Sequence, residues 1–185
     1  MLNISEIVTD RLRVVPFSPS FENARKFFEF VKNNREYFYF MYGFVEAQTV
    51  EDIYDFLVRR NMFPEYLLGL YPKDVNEAVG FVNISGYNDK NKKVALGYFM
   101  DQNFSSRGYM SEAVIAVSNE LFYKGCRKIQ MTVDIGNIAS QKVCEKSGFV
   151  KEARLVKEKY NRHTQGFDDV FLYYKLNPQI AVDSD

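Results

Sequence analysis

The feature that most constrains this chain is the change of hydrophobic pattern between residues 66 and 134. Three apolar segments come first, at 66–71, 78–87 and 93–101, with polar turn residues between them. Such segments predict an antiparallel meander. Apolar residues at helical spacing then run from Met110 to Leu121, Gly125 follows, and residues 128–134 return to a strand pattern. A strand, a helix and a second strand in this order predict a mixed α/β (α+β) fold.

The remaining segments extend this pattern at both ends. Further strands are predicted at 11–17, 149–159 and 168–176, and further helices at 21–32, after Thr49 and after Asn137. Thr and Asn are residue types that cap helix starts, and Gly148 is typical of a helix end. The chain contains neither a linker-like stretch nor a repeat. We predict a single domain over residues 1–185, its core at about 7–176, with a mostly antiparallel mixed sheet of about seven strands and about four helices.

The composition excludes several classes of protein. The 185 residues include 24 Lys and Arg and 24 Asp and Glu, so the formal net charge is zero. Without a basic excess, direct binding to nucleic acid lacks its electrostatic basis. No apolar run approaches the ~20 residues of a membrane span, and the N-terminal residues lack the pattern of a secretory signal. We expect a cytoplasmic protein that does not associate with membranes.

Scarce residue types limit the chemistry further. The chain has one histidine, His163, and two cysteines, Cys126 and Cys144. These are too few for a zinc cluster of the usual spacing, so no metal is expected. A serine or cysteine triad would need His163, which lies in a polar segment that we interpret as a loop. Because that histidine lies elsewhere, we interpret Cys144 as a small buried side chain rather than a nucleophile.

The segment from Phe99 to Ala113 carries the first indication of function. A strand ends, a short loop with Gly108 follows, and an amphipathic helix begins. Such a helix start directs backbone N–H groups outward at the positive end of the helix dipole, which is the geometry that holds phosphates. Taken alone, the segment fits equally well an ordinary turn in which Gly108 relieves backbone strain.

A second segment, residues 137–149, favours the phosphate interpretation. It reads Asn-Ile-Ala-Ser-Gln-Lys-Val-Cys-Glu-Lys-Ser-Gly-Phe, a capped helix that ends in Gly-Phe and continues into a strand. In their order and spacing the two segments resemble the GNAT N-acetyltransferase superfamily. The ribosomal-protein-alanine acetyltransferase (RimJ/RimL-like) branch of that superfamily is resembled further by Thr9-Asp10-Arg11-Leu12, the helix at 49–57, Gly97-Tyr98 and Gly166-Phe167-Asp168-Asp169-Val170.

The glycine loop departs from the family pattern at both ends. Counted from Gly108, Ser105 stands at the usual Gln/Arg position and Met110 at the usual Gly/Ala position. Since backbone N–H groups make most of the phosphate contacts, these changes need not abolish the site, and Met110, which is bulkier than the usual residue, leaves the affinity for the ligand open. Cys144 stands where many relatives carry a tyrosine that protonates the departing thiolate.

The resemblance implies direct transfer of acetyl from acetyl-CoA, the co-substrate, to an amine. By position, the backbone of Phe99, Met100 and Asp101 would contact the pantetheine arm and the thioester carbonyl. Asn137 would contact the same arm. The pyrophosphate would be surrounded by Ser106, Arg107, Gly108, Tyr109, Met110 and Ser111. As the acid for the leaving sulfur we select Ser140, because the branch has a serine there, although its hydroxyl can instead bond back to its own helix.

The sequence leaves more than one candidate for the general base. The glutamate proposed for the branch falls on Lys159, whose charged form cannot accept a proton. Glu158 would face the other side of a regular strand. Glu158, Glu46 or a water chain are the candidates, with solvated surface charge as the ordinary explanation for both carboxylates. The aromatic segment from Tyr37 to Phe44 fits a core, an acceptor groove or a dimer contact.

We therefore expect an acetyl-CoA-dependent N-acetyltransferase that acts on a protein or peptide N-terminal α-amine. A polyamine, an amino acid or an antibiotic is the second class of acceptor that fits. A strongly acidic pocket would favour a polyamine, whereas an open groove floored by backbone would favour a peptide. The sequence is also compatible with a CoA-binding protein without catalysis and with an interaction protein that has lost the cofactor. The resemblance allows a homodimer as well.

Overall fold

The computed structural model describes residues 4–38, 44–62, 65–161 and 164–180, with residue 44 described by its backbone alone. The strands are β1 (Ile7–Val8), β2 (Leu12–Pro16), β3 (Tyr66–Pro72), β4 (Gly80–Asn88), β5 (Lys93–Met100), β6 (Lys128–Asp134), β7 (Val150–Asn161) and β8 (Gly166–Leu176). The helices are α1 (Phe21–Asn34), α2 (Val50–Arg60), α3 (Tyr109–Tyr123) and α4 (Ile138–Lys146), with short 3-10 turns at Phe44–Glu46 and Gln102–Phe104. The predicted α/β class is confirmed.

All eight strands lie in one sheet, in the order β1-β2-β3-β4-β5-β6-β8-β7. Neighbouring strands run antiparallel except β5 and β6, which are parallel because α3 carries the chain back to the edge from which β5 started. The sheet has one strand more than the seven predicted. The additional strand is β1, which pairs with Val14 and Arg13 of β2. Two residues are too few to show an alternating pattern, so no local signal marks this strand.

The helix boundaries follow the predicted capping residues. Thr49 Oγ1 accepts a hydrogen bond from the Asp52 N–H at 3.1 Å, and the Asp52 carboxylate accepts one from the Thr49 N–H at 3.0 Å. Asn137 Oδ1 accepts from the Ser140 N–H at 3.0 Å. Gly148 follows α4 with φ +77°, in the left-handed region that glycine favours. Local side-chain chemistry thus sets both ends of α4.

Two different cores hold the sheet from its two faces. Helices α1 and α2 pack on one face over an aromatic cluster that includes Phe17, Phe27, Phe38, Phe81 and Phe99. Helices α3 and α4 pack on the other face over a largely aliphatic cluster that includes Leu70, Val82, Ile84, Val117, Leu121 and Ile129. Burial of each such side chain contributes about 1.5–3 kcal/mol. The strands that border the site are therefore fixed from both sides.

The described residues of the aromatic segment at 37–44 have different environments. Phe38 belongs to the core and packs edge-on against Phe99, with ring centroids 5.7 Å apart. Tyr37 is exposed at the surface. Residues 39–43 and the Phe44 side chain lie outside the described part. The core interpretation is therefore confirmed for Phe38, while the groove and dimer interpretations stay predictions.

Candidate active site

The sheet splits between its two parallel strands. Residues 93–95 of β5 pair with residues 128–130 of β6, and the pairing ends there. Beyond this point β5 stays with β4 as far as Met100, and β6 stays with β8 as far as Asp134. The divergence opens a cleft of about 320 Å³. The cleft is lined by Arg60, Leu96, Gly97, Tyr98, Met131, Thr132, Val133, Asp134, Asn137, Ser140 and Lys159.

The wall of the cleft formed by β5 is partly bare backbone. Gly97 is exposed, and a side chain placed there would meet no atom within 4 Å. A ligand can therefore approach the strand backbone closely at this point. The cleft is therefore floored in part by backbone at Gly97.

Tyr98 connects the two sides of the cleft. Its hydroxyl donates to the Ser140 carbonyl at 3.1 Å and lies 4.0 Å from Cys144 Sγ. Burial, and secondly the neighbouring Cys144, raise the Tyr98 pKa far above its usual value, so the phenol stays protonated and acts as a donor. The contact joins β5 to the first turn of α4 across 42 positions of sequence. Gly97-Tyr98 was part of the resemblance, but no local pattern indicates this contact.

Cys144 lies beneath the cleft in the core. It is fully buried, and burial raises the pKa of its thiol to about 11. The thiolate that a nucleophilic mechanism needs is therefore scarce near neutral pH. The interpretation of Cys144 as a small buried side chain is confirmed.

The start of α3 differs from the starts of the other helices. Gly108 stands at the N-cap with φ +82°, and no side chain caps the helix there. Side chains of Ser20, Thr49 and Asn137 cap α1, α2 and α4. The first-turn N–H groups of α3 therefore lack an acceptor from a capping side chain. Ser106, Arg107 and Gly108 are exposed beside them, an arrangement that suits an anion.

Met110 does not obstruct this helix start. Its side chain is 6% exposed and packs in the aliphatic core under α3. The side chain thus points into the protein, while the backbone of the same residue belongs to the first turn of the helix. The bulk of Met110 therefore lies on the core side, away from the outer face of the first turn.

The N-terminal segment braces the same loop. Glu112, in the first turn of α3, accepts hydrogen bonds from Thr9 Oγ1 at 2.6 Å, from the Arg11 N–H at 3.0 Å and from Arg11 Nε at 2.7 Å. Arg11 also donates to the Arg107 carbonyl at 2.9 Å. Burial alone would raise the Glu112 pKa, but these hydrogen bonds and the Arg11 charge outweigh it and hold the pKa below its usual value. The segment 9–12 therefore holds the loop in place.

Asp101 directly follows β5, and its polar groups form hydrogen bonds within the fold. The Asp101 N–H donates to the Val79 carbonyl at 2.9 Å, so it is already used inside the fold. The Asp101 carboxylate accepts from Asn34 at 3.0 Å and from the Asn103 N–H at 2.7 Å. Asp101 thus shapes the turn after β5. Phe99 and Met100 precede Asp101 in the part of β5 that pairs with β4 but not with β6.

The candidate bases occupy different places. Glu158 is exposed on β7, where the pairing with β8 shifts register between Leu155 and Lys159, and it is not among the described residues that line the cleft. Glu46 is exposed in the turn at 44–46 and does not line it either. Lys159 does line the cleft, with Nζ 2.8 Å from Asp134 Oδ2. The carboxylate brought into the cleft is thus Asp134, which sequence reasoning missed.

Two further expectations concern metals and His163. Within the described ranges no group of three or more His, Cys, Asp or Glu side chains could hold a metal ion. His163 lies outside those ranges. In the part of the chain that is described, no helix has both the length and the apolar character needed to cross a membrane.

The split sheet and the uncapped start of α3 thus place an open cleft and a helix start without a capping side chain in one α/β domain. Residues 11–150, more than half of the chain, match the acetyltransferase (GNAT) domain. The chain belongs to the GNAT acetyltransferase family, the class that uses acetyl-CoA as its co-substrate. The ribosomal-protein-serine acetyltransferase of Escherichia coli is 24% identical over 102 residues, which span 55% of this chain and 56% of that protein.

Solved structures agree with this fold. A microcin self-immunity acetyltransferase in complex with acetyl-CoA and AMP has a TM-score of 0.82 at 18% identity, covering 91% of this chain and 93% of that one. A ribosomal alpha-N-protein acetyltransferase in complex with coenzyme A has a TM-score of 0.84 at 17% identity, covering 93% of this chain and 98% of that one. At such identities the likeness establishes the fold.

Proposed function

We propose that this protein is an acetyl-CoA-dependent N-acetyltransferase whose acceptor is a protein or peptide N-terminal α-amine. The observation that carries the proposal is the cleft between β5 and β6, which has a backbone wall at Gly97, together with the uncapped start of α3, the helix that follows β5 in the chain. Membership of the GNAT family supports the reaction. The ribosomal-protein acetyltransferases among its relatives support an N-terminal acceptor.

The residues at the start of α3 fit the phosphates of acetyl-CoA. The loop at 106–108 is exposed, the first-turn N–H groups face outward, and Met110 leaves their outer side clear. The Arg107 and Arg11 guanidiniums add positive charge at the same loop, where Arg11 bonds the Arg107 carbonyl. Tyr109 and Ser111 complete the predicted set. Acetyl-CoA would supply the activated thioester carbonyl.

Two residues of the cleft lining and the neighbouring end of β5 have roles in this proposal. Of the predicted pair Phe99 and Met100, the backbone of Met100 would bind the arm and the carbonyl, since β5 has no β6 partner there and the Phe99 N–H, like that of Asp101, faces β4. Asn137, which lines the cleft, would contact the same arm. Ser140 would donate a proton to the departing sulfur, because it lines the cleft on the first turn of α4. Preorganised donors of this kind stabilise charge as it develops.

The charges of the cleft favour a peptide over a polyamine. Among the described residues that line it, the cationic side chains are Arg60 and Lys159 and the carboxylate is Asp134. Each cation is ion-paired, Arg60 with Glu65 at 2.7 Å and Lys159 with Asp134 at 2.8 Å. A polycation would find no excess of negative charge here. A single amine on an extended backbone matches the arrangement better.

The test combines acetyl-CoA binding with turnover. Acetyl-CoA is titrated into the protein by calorimetry, and free-thiol release is then measured against N-terminal peptides and small amines, polyamines included. We expect micromolar binding and the fastest release with a peptide. Binding without release for any amine would favour the CoA-binding protein without catalysis. No binding would contradict the proposal altogether.

A variant separates the acid from the binding site. Ser140→Ala should lower kcat by about 100-fold, since a positioned acid contributes about 100- to 10,000-fold, while leaving the acetyl-CoA Kd unchanged. Ser18→Ala, at an exposed serine outside the cleft lining, is the matched control. An unchanged kcat in Ser140→Ala would remove this residue from the mechanism.

A further inference from the structure

Asp134 holds an unusual position at the end of β6. Its side chain lines the cleft and is 25% exposed. Oδ2 receives the Lys159 Nζ at 2.8 Å. Oδ1 is buried and, among the described residues, has no hydrogen-bond partner. A carboxylate with one oxygen paired and the other without a donor is poised to receive a further donor.

The unpartnered oxygen has an energetic consequence. A buried acceptor without a donor costs about 1–3 kcal/mol, and native structures seldom retain one without a reason. The neighbouring charges do not supply the missing donor, because Lys159 bonds the other oxygen and Arg60 bonds Glu65. An ammonium or a water would relieve this cost if a small movement of the side chain exposed Oδ1 to it.

The location matches the place where an acceptor would stand. Asp134 faces the same cleft as Ser140, the proposed acid, and as the bare backbone of Gly97. It follows Thr132 and Met131 in the part of β6 that has left β5. Within the described lining it carries the sole carboxylate. A base here would therefore lie beside the acceptor, whereas Glu158 and Glu46 lie outside the lining.

We propose that Asp134 binds the acceptor amine and accepts its proton, directly or through one water, and that Lys159 is the positioning residue that orients this carboxylate. This inference rests on the function proposed above. It gives a role to Lys159, which stands where the resembled branch has a glutamate. In this proposal the carboxylate of β6 is the base, and the lysine of β7 orients it.

The proton balance of the step is simple. The acceptor arrives as R–NH3⁺ and transfers one proton to the Asp134 carboxylate, which later releases it to solvent. The neutral amine attacks the thioester carbonyl, a C–N bond forms and the C–S bond breaks. Ser140 gives its proton to the departing sulfur. The nitrogen loses its second proton to water, and water passes a proton back to Ser140. The products are the N-acetyl amide, the free thiol of CoA and one proton.

The first experiment replaces the carboxylate by its amide. Asp134→Asn should lower kcat/KM for a short peptide beginning with alanine by about 100-fold, with the acetyl-CoA Kd and the melting temperature unchanged. Glu152→Gln is the matched control, because Glu152 is a carboxylate paired with Lys128 at 2.7 Å on the same sheet but outside the cleft lining. A kcat/KM within about threefold of the unmodified protein would overturn the proposal.

A weakly basic acceptor tests deprotonation itself. A peptide whose α-amine is replaced by an aminooxyacetyl group is already neutral near pH 7 and needs no base. The Asp134→Asn defect should then shrink to less than about tenfold. An equal defect with both acceptors would overturn the role as base.

The positioning role of Lys159 has its own readout. Lys159→Met should lower kcat more than it raises KM, and Lys159→Arg should restore most of the loss, because arginine can still donate to Asp134. A merely structural lysine would show a fall in melting temperature and no rescue of kcat. That result would overturn its assignment.

A binding measurement keeps the outcomes distinct. The alanine peptide is titrated by calorimetry into the protein saturated with CoA, which cannot react. Asp134→Asn should weaken this binding about tenfold, or 1.4 kcal/mol. If the unmodified protein releases no thiol, the proposed function fails while this titration still tests amine recognition. If it releases thiol and neither measurement changes in the variant, the Asp134 inference alone fails.

Discussion

Helices α3 and α4 both begin near the cleft, yet their starts are built in opposite ways. At α4 the Asn137 side chain accepts the Ser140 N–H, so the helix satisfies its own donor. At α3 a left-handed glycine replaces the capping side chain, and the segment 9–12 stabilises the loop from outside. The α4 start is thus capped by its own side chain, whereas in our proposal the uncapped N–H groups of α3 bind the ligand.

Because of this difference, the start of α4 contributes to folding stability, whereas we propose that the start of α3 contributes to ligand binding. A capped helix start gains about 1 kcal/mol from its cap, and α3 forgoes that contribution. Hydrogen bonds of Thr9 and Arg11 to Glu112 hold the loop instead, and residues 106–108 of that loop stay exposed. A change at α3 should therefore affect ligand affinity where the same change elsewhere affects stability alone.

The largest effect is expected from Gly108→Ala. A left-handed alanine is strained by about 1–2 kcal/mol, and its Cβ would lie 3.3 Å from Arg11 Nη2, displacing the brace. We expect the acetyl-CoA Kd to rise at least about tenfold, measured by calorimetry.

Gly125→Ala is the matched control for this change. Gly125 ends α3 with φ +85°, and a Cβ there would meet no atom within 4 Å. The two variants should lose similar melting temperature, whereas the acetyl-CoA Kd should change in Gly108→Ala alone. Equal Kd values in both variants would contradict a binding role for the start of α3.

An intermediate effect, with opposite signs, is expected from Ser111→Asp. A carboxylate in the first turn of α3 should stabilise the helix by about 0.3–1 kcal/mol, yet it should repel phosphates and raise the acetyl-CoA Kd several-fold. Thermal denaturation and calorimetry would measure the two changes. The Kd change should shrink in high salt, which screens exposed charges.

Ala139→Asp provides the comparison at α4. Ala139 is exposed in the first turn of that helix, so the same charge should stabilise it by a similar amount. Its effect on the acetyl-CoA Kd should be smaller. Parallel changes in both variants would show that the two helix starts do not differ in the proposed way.

The smallest effect concerns Glu112 and pH. Its folded pKa lies below the ordinary value of 4.5, so its contribution to stability is full above about pH 4.5 and is lost as the pH falls through the folded pKa. Glu112→Gln should therefore be less stable by about 1 kcal/mol at pH 7, and the difference should shrink as the pH is lowered below 4.5. Urea denaturation over a series of pH values would measure this. A constant difference would contradict it.

Much of the fold could be predicted because its signals are local. Thr49, Asn137 and Gly148 act within a few residues of themselves, and each lies where the helix boundary was predicted. Hydrophobic periodicity located the longer strands for the same reason. The two-residue strand β1 escaped because it has no period to detect.

The candidate site could be predicted less completely because its contacts join distant residues. Arg11 meets Glu112 across 101 positions, and Lys159 meets Asp134 across 25. The regular-strand argument about Glu158 did not include the register shift that β7 makes before Lys159. The direction of the Met110 side chain likewise depends on packing under α3, which no local pattern reports.

The short pairing of β5 with β6 has a consequence for how the molecule opens. The pairing of residues 93–95 with 128–130, and the Lys92 carbonyl that accepts from the Arg127 and Lys128 N–H groups, join the two halves of the described sheet. This short seam is the natural boundary between two cooperative units. We expect β6, β8 and β7 to exchange their amide hydrogens as one group. A ligand that contacts both β5 and β6 would hold the two halves of the sheet together. The amide hydrogens of both halves would then exchange as a single group.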